Sequence, residues 1–157
     1  KSDNKETQHT NKQLHMETKG KTILITVDGS QHSERAVRDA LDITNPDRDV
    51  VILLHVVHLF PFASKESISQ ARQQGEIFLQ KAKSFAEEKK KIHKLQVLIT
   101  ESNDVKEEIL NQAKLLAVDL IVVGSKGANA VAKSLMGTTC DYISRHAACN
   151  VLIVRNS

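Results

Sequence analysis

The residues most able to do chemistry here are glycines and hydroxyls. Gly124-Ser125-Lys126-Gly127 is followed by nine residues and then by Gly137-Thr138-Thr139. The first glycine ends an apolar run, Asp119-Leu-Ile-Val-Val123, and the last opens a stretch with helical spacing. A strand, a glycine loop and a helix start form the arrangement that holds phosphate. Glycine lets the backbone approach an anion closely, and a helix N-terminus presents unpaired N–H donors and a partial positive charge.

Such a loop needs a scaffold, and the rest of the chain supplies one. Thr22-Ile-Leu-Ile-Thr-Val27, Val50 to Val57, Leu95 to Thr100, Asp119 to Val123 and Val151 to Val154 are short, β-branched, apolar runs. Continuous runs, rather than alternation, suit a parallel sheet covered on both faces. Between them lie four helical patterns. Ala36, Val37, Ala40 and Leu41 mark the first, with Ser30 as its N-cap, and Asn45-Pro46-Asp47 stops it. The second runs from about Glu66 to Lys91 through Ile77, Phe78 and Phe85. Val105, Ile109, Leu110 and Ala113 mark the third, which starts near Asp104, and Tyr142, Ile143 and Ala147 mark the fourth.

The alternation predicts an α/β fold, an open five-stranded parallel sheet with helices on both faces, Rossmann-like. Ligands of such sheets sit outside the carboxyl ends of the strands. Asp28, His58, Glu101 and the glycine loop begin the connections at that edge.

The bulk properties exclude several classes. The chain of 157 residues fits one domain, residues 21–157, after a polar stretch (1–20) that reads as a disordered extension. A net charge of +3 with dispersed lysines gives no nucleic-acid footprint. Four Phe, one Tyr and no Trp provide no platform for stacking single-stranded bases. No run is long enough for a membrane span and none resembles a signal peptide. Cys140 and Cys149 read as reduced packing residues. Those absences predict a cytoplasmic protein that binds neither nucleic acid nor membrane.

The position of the loop discriminates among phosphate-binding motifs. Walker A and the Rossmann glycine fingerprint both follow the first strand. Here that turn reads Val27-Asp28-Gly29-Ser30, with an acid that would repel phosphate.

The pattern Gly-x2-Gly-x9-Gly-[Ser/Thr], met in full by Gly124, Gly127, Gly137 and Thr138, resembles the signature of the ATP-binding branch of the universal stress protein family. Val27-Asp28-Gly29-Ser30 after the first strand and Leu53-Leu-His-Val-Val57 in the second agree in place and order. So do Asp119 to Ser125 and Asn150 to Val154. The resemblance covers about residues 21–155. It implies ATP in the cleft at the strand ends, held by Gly124, Gly127, Gly137 and Thr138, with Ser125 and Thr139 as neighbours. It also implies that Asp28 lies near the ribose or a metal, and that Val56 offers main-chain hydrogen bonds to adenine. Mg²⁺ or Mn²⁺ would come with the triphosphate. The implied strand order is 3-2-1-4-5, with the last strand, Val151 to Val154, pairing with its copy in a homodimer.

Each of these residues also has a plainer reading. Asp28 suits a turn for its own sake. Lys126 and Lys133 suit solvent as well as phosphate. His55 and His58 lack a third ligand at metal spacing. No metal ligands or catalytic residues are identified, and no base emerges to activate water, so weak ATP hydrolysis is the most that is expected of it as an enzyme. A nucleotide sensor in stress signalling is the leading reading. The alternatives are an ATP pyrophosphatase or nucleotidyl transferase, whose SGGxDS-type loop is missing here, and a dimeric interaction protein that binds another nucleotide such as cyclic AMP.

Overall fold

The structure, a computed structural model, describes residues 19–128 and 136–156. Most of the proposed N-terminal extension, and Lys133, lie outside the described residues. The elements are β1 (Thr22–Thr26), α1 (Gln31–Ile43), β2 (Val50–His58), α2 (Lys65–Lys89), β3 (Lys94–Ser102), α3 (Val105–Leu115), β4 (Leu120–Gly124), α4 (Thr138–His146) and β5 (Asn150–Val154). The five strands are all parallel and lie in the order β3-β2-β1-β4-β5, as expected.

The continuous apolar runs are explained by two cores, one on each face. Ile23, Ile25, Val51, Leu53 and Val122 point to one face, where Ala36, Val37, Ala40 and Leu41 of α1 and Leu79, Ala82 and Ala86 of α2 cover them. Leu24, Ile52, Leu54 and Ile121 point to the other, against Ile109 and Ala113 of α3 and Ile143 of α4. Successive residues of a strand face opposite ways, so a run buried on both sides leaves no room for polar residues.

Several boundaries shift by a residue or two from the sequence reading, and two of the shifts have a visible cause. The second helix ends at Lys89, because Lys90 is extended (φ −154°). Its ammonium donates to the carbonyls of Leu41 and Thr44 at 2.9 and 2.6 Å and so satisfies the C-terminal end of α1. The third strand is longer than its apolar run, because its pairing with β2 continues as far as His58 and Ser102.

Two acids, buried Asp49 and exposed Asp119, fix the entry to β1. Asp49 accepts from the amides of Lys21 (2.8 Å) and Asn45 (2.7 Å), and Asp119 accepts from that of Thr22 at 2.8 Å. The start of β1 is thereby held against both neighbouring strands, and its other end delivers Val27 and Asp28 to the sheet edge.

Candidate functional site

A cleft of about 620 Å³ opens at the carboxyl ends of the strands. Asp28 comes from the end of β1, Val56 and His58 from β2, Asp104 and Lys106 from α3, and Gly124, Gly127, Gly137, Thr138 and Thr139 from the glycine loop and α4. Seven of the eight residues singled out from the sequence therefore meet in one place.

Ser125 is the eighth and lies behind the cleft, not on its wall. It is 3% exposed. Its amide donates to Val154 O at 2.7 Å, its carbonyl accepts from the amide of Gly137 at 2.7 Å, and its hydroxyl lies 3.1 Å from His32 Nδ1. Ser125 fastens the loop to β5 and α1 and closes the first and last glycines toward each other. Gly124 is tight for the same reason, since a Cβ there would lie 2.7 Å from the backbone carbon of His32.

Asp28 bridges two turns. One carboxylate oxygen accepts from the amide of Ser30 at 2.9 Å, and the other from the amide of Ala128 at 3.1 Å. The first bond shapes the turn after β1, where Gly29 has φ +80° and sits against the ring of Phe78. The second holds the glycine loop down beside β1.

The helix starts differ in a way that matters to an anion. Ser30, Ser64 and Asp104 cap α1, α2 and α3 by accepting from the amides of Ser33, Ser67 and Glu107. The N-cap of α4 is Gly137, which makes no side-chain capping bond. Among the described residues no side chain caps the first amides of α4, which can therefore serve an anion in the cleft, where Thr138 and Thr139 line it.

Val56 presents main chain. Leu54 O accepts from Val27 N at 2.8 Å, so the backbone of Leu54 points toward β1. Val56, two residues on, points the same way, but β1 has ended at Thr26. Its N–H and C=O face the cleft, with the donor and acceptor side by side. His55, between them, turns its ring to the other face, where Nδ1 donates to Val27 O at 2.7 Å. That bond gives His55 a structural role. The ring needs space in α2, and Gly75 provides it: a Cβ at that position would lie 2.3 Å from His55 Cδ2.

Charge at the other rim comes from α3. Lys106 Nζ lies 2.9 and 3.0 Å from the two oxygens of Asp104 and 5.2 Å from the Tyr142 ring centre. The Lys106 hydrogen bond holds the Asp104 carboxyl below its usual 3.8, against a smaller opposing effect of burial, and the Glu107 amide adds to the lowering. Cys140 also lines the cleft, but it is 2% exposed and burial pushes its thiol up, with Asp141 adding to the effect. It is a poor nucleophile there. Among the described residues no group of three or more His, Cys, Asp or Glu could hold a metal ion, and no helix is long and apolar enough to cross a membrane.

The loop and its helix were readable from sequence through glycine spacing. The Asp28–Ala128 bond, the Ser125–His32 pair and the fit of His55 into Gly75 were not. Each joins residues far apart in the chain, and none has a local signal.

Comparison with known proteins gives a consistent result. The model described as the universal stress protein family matches residues 20–155. A universal stress protein of Methanocaldococcus jannaschii is 32% identical over 143 residues, covering 86% of this chain and 82% of its own. Among solved structures, a universal stress protein in complex with cAMP superposes with a TM-score of 0.68 at 20% identity, covering 89% of this chain and 100% of that one. A family protein of Arabidopsis thaliana with AMP bound gives a TM-score of 0.63 at 23% identity, covering 87% and 92%.

Proposed function

The chain belongs to the universal stress protein family, and from that premise we propose that it is an adenine-nucleotide-binding module of stress signalling, with ATP as its ligand. The observation that carries this reading is the uncapped start of α4, which opens into a cleft walled by Gly124, Gly127 and the Val56 main chain. A triphosphate would take the free amides of α4 and the hydroxyls of Thr138 and Thr139. The paired donor and acceptor of Val56 match the edge of adenine, which offers one acceptor and one donor side by side. Two solved structures of the same fold carry adenine nucleotides, one cAMP and the other AMP.

The donor set suits a nucleotide that brings its own cation. Mg²⁺ or Mn²⁺ would bind chiefly to phosphate oxygens and water. Asp28 is the carboxylate nearest the loop, and both its oxygens already accept from backbone amides. That makes it a brace for the loop near the ribose, and a weak candidate for a general base. Binding, with at most slow hydrolysis, is the activity this geometry favours.

The last strand supports self-association. β5 is an edge of the sheet, paired on one side with β4. Val151, Leu152 and Ile153 are half-buried. An apolar edge strand invites pairing with a copy of itself across a two-fold axis, and a homodimer through Val151 to Val154 is the proposed assembly.

The deciding experiment is mass spectrometry of small molecules that co-purify with the protein, followed by calorimetry with ATP, ADP, AMP and cAMP. Micromolar binding of ATP, on the order of −8 kcal/mol, is expected. Tighter binding of cAMP than of ATP would replace the ATP reading with a cyclic-nucleotide one. Absence of binding to all four would overturn the function.

A further inference from the structure

The cleft has two chemically different ends. One is the glycine loop with the open start of α4. The other, beyond Val56, is aromatic: Phe60 lines the cleft and yet is 60% exposed. The His58 ring lies against it, with 4.0 Å between centroids and a tilt of 40°. An exposed phenyl ring on the wall of a binding cleft has a face to offer.

The backbone that presents this ring is unusual. Ala63 N donates to Phe60 O at 3.1 Å, which closes a four-residue turn over Phe60-Pro61-Phe62-Ala63. Pro61 takes the second position, which suits its fixed φ, and Phe62 takes the third with φ +63°. That position favours glycine, and a bulky residue with positive φ is an outlier. The turn therefore holds a left-handed residue without glycine's help. Phe62 is fully exposed, so no packing of its own side chain compensates. The strain is borne where the chain must double back immediately after Phe60. Strained backbone of this kind is concentrated at ligand sites.

We infer that Phe60, backed by His58, is the wall on which the base of the bound nucleotide stacks, and that it makes the site selective for purines. This rests on the nucleotide reading above and deepens it. Val56 fixes the base edge through its main chain, and Phe60 supplies a face to the same base four residues further on. The wider two-ring system of a purine covers more of the phenyl face than a pyrimidine does, so stacking favours purines without any hydrogen bond to the ring.

The test uses 2-aminopurine riboside triphosphate, whose fluorescence falls when the base stacks. The chain has no Trp, so the ligand is read without protein background. Wild type should quench the probe and bind ATP more tightly than CTP. Phe60→Ala should weaken ATP and probe binding by roughly tenfold, lose most of the quench and narrow the ATP–CTP gap. Phe60→Tyr should restore all three. Inorganic tripolyphosphate, which engages only the glycine loop, should bind wild type and Phe60→Ala alike. If Phe60→Ala quenches and binds the probe as wild type does, the stacking wall is overturned while nucleotide binding stands. If wild type binds neither ATP nor the probe, the nucleotide reading falls and takes the wall with it.

Discussion

The carboxylate of Asp28 accepts a hydrogen bond from the amide of Ala128, one hundred residues further along the chain, at 3.1 Å. This contact links the turn after the first strand to the glycine loop, so Asp28 shapes the loop as well as its own turn. Asp28→Ala should cost about 1–2 kcal/mol of stability through two lost backbone contacts. It should also speed hydrogen exchange at the Ala128 amide. An unchanged exchange rate there would mean that the bond does not hold the loop in solution.

The signature glycines should separate into two kinds. At Gly124 a methyl group would meet the His32 backbone at 2.7 Å, and backbone cannot yield cheaply. Gly124→Ala should lower stability by about 1–3 kcal/mol. At Gly137 the nearest atoms to a new Cβ lie at 3.4 Å or more and φ is −70°, so the fold has room. Gly137→Val should melt close to wild type yet bind ATP at least tenfold more weakly, because its side chain would occupy the space the ligand needs. Gly127→Val should weaken ATP as well, while pressing on Asp28, whose oxygen would lie 3.1 Å from the Cβ. Thermal melts paired with calorimetry test the division. Wild-type ATP affinity in both valine variants would refute the loop as the phosphate site.

The fit of His55 into α2 gives a third test. Gly75→Ala should destabilise by about 1–3 kcal/mol, because the methyl would land 2.3 Å from the imidazole. His55→Ala alone removes the bond to Val27 O and leaves a cavity. The double variant should lose less than the sum of the two, since the clash disappears with the ring. Strict additivity in urea melts would show that the two side chains do not share that space.

Asp104 should carry a pH signature. Its folded carboxyl is held below 3.8, chiefly by Lys106. A depressed carboxyl stabilises the fold above the unfolded value, and that contribution is lost as pH falls through the lower, folded value. Asp104→Asn can still cap α3 but cannot pair with Lys106. Wild type should therefore melt above the variant at neutral pH, and the gap should close in acid below 3.8. A gap that persists in acid would assign the difference to something other than this charge.

Much of the fold was written locally. The central strands announced themselves because burial on both faces demands an apolar run, as in Val51 to Leu54. Ser30 was visible as a cap because capping is a matter of neighbours three residues apart, and the start of the third helix was placed near Asp104, which caps it. The glycine spacing was readable because it lies within one short stretch of sequence.

What escaped were pairings made by folding. The partners of Asp28, Ser125 and His55 lie at sequence separations of 100, 93 and 28. Phe60 carries no local signal either, since nothing near it in sequence places it on a cleft wall. Phe62 shows the limit most sharply, because it occupies a backbone position for which sequence rules would have looked for glycine.

Ser125 gives the site a mechanical character. Through one backbone amide and one carbonyl it is stitched at the same time to Val154, on the outermost strand, and to Gly137, at the mouth of α4. The two described ends of the loop are therefore tied to each other and to the sheet. A displacement of its anchored end is transmitted through a single residue to the rim of the sheet, and a load applied along that rim pulls back on the helix start where the anion would rest.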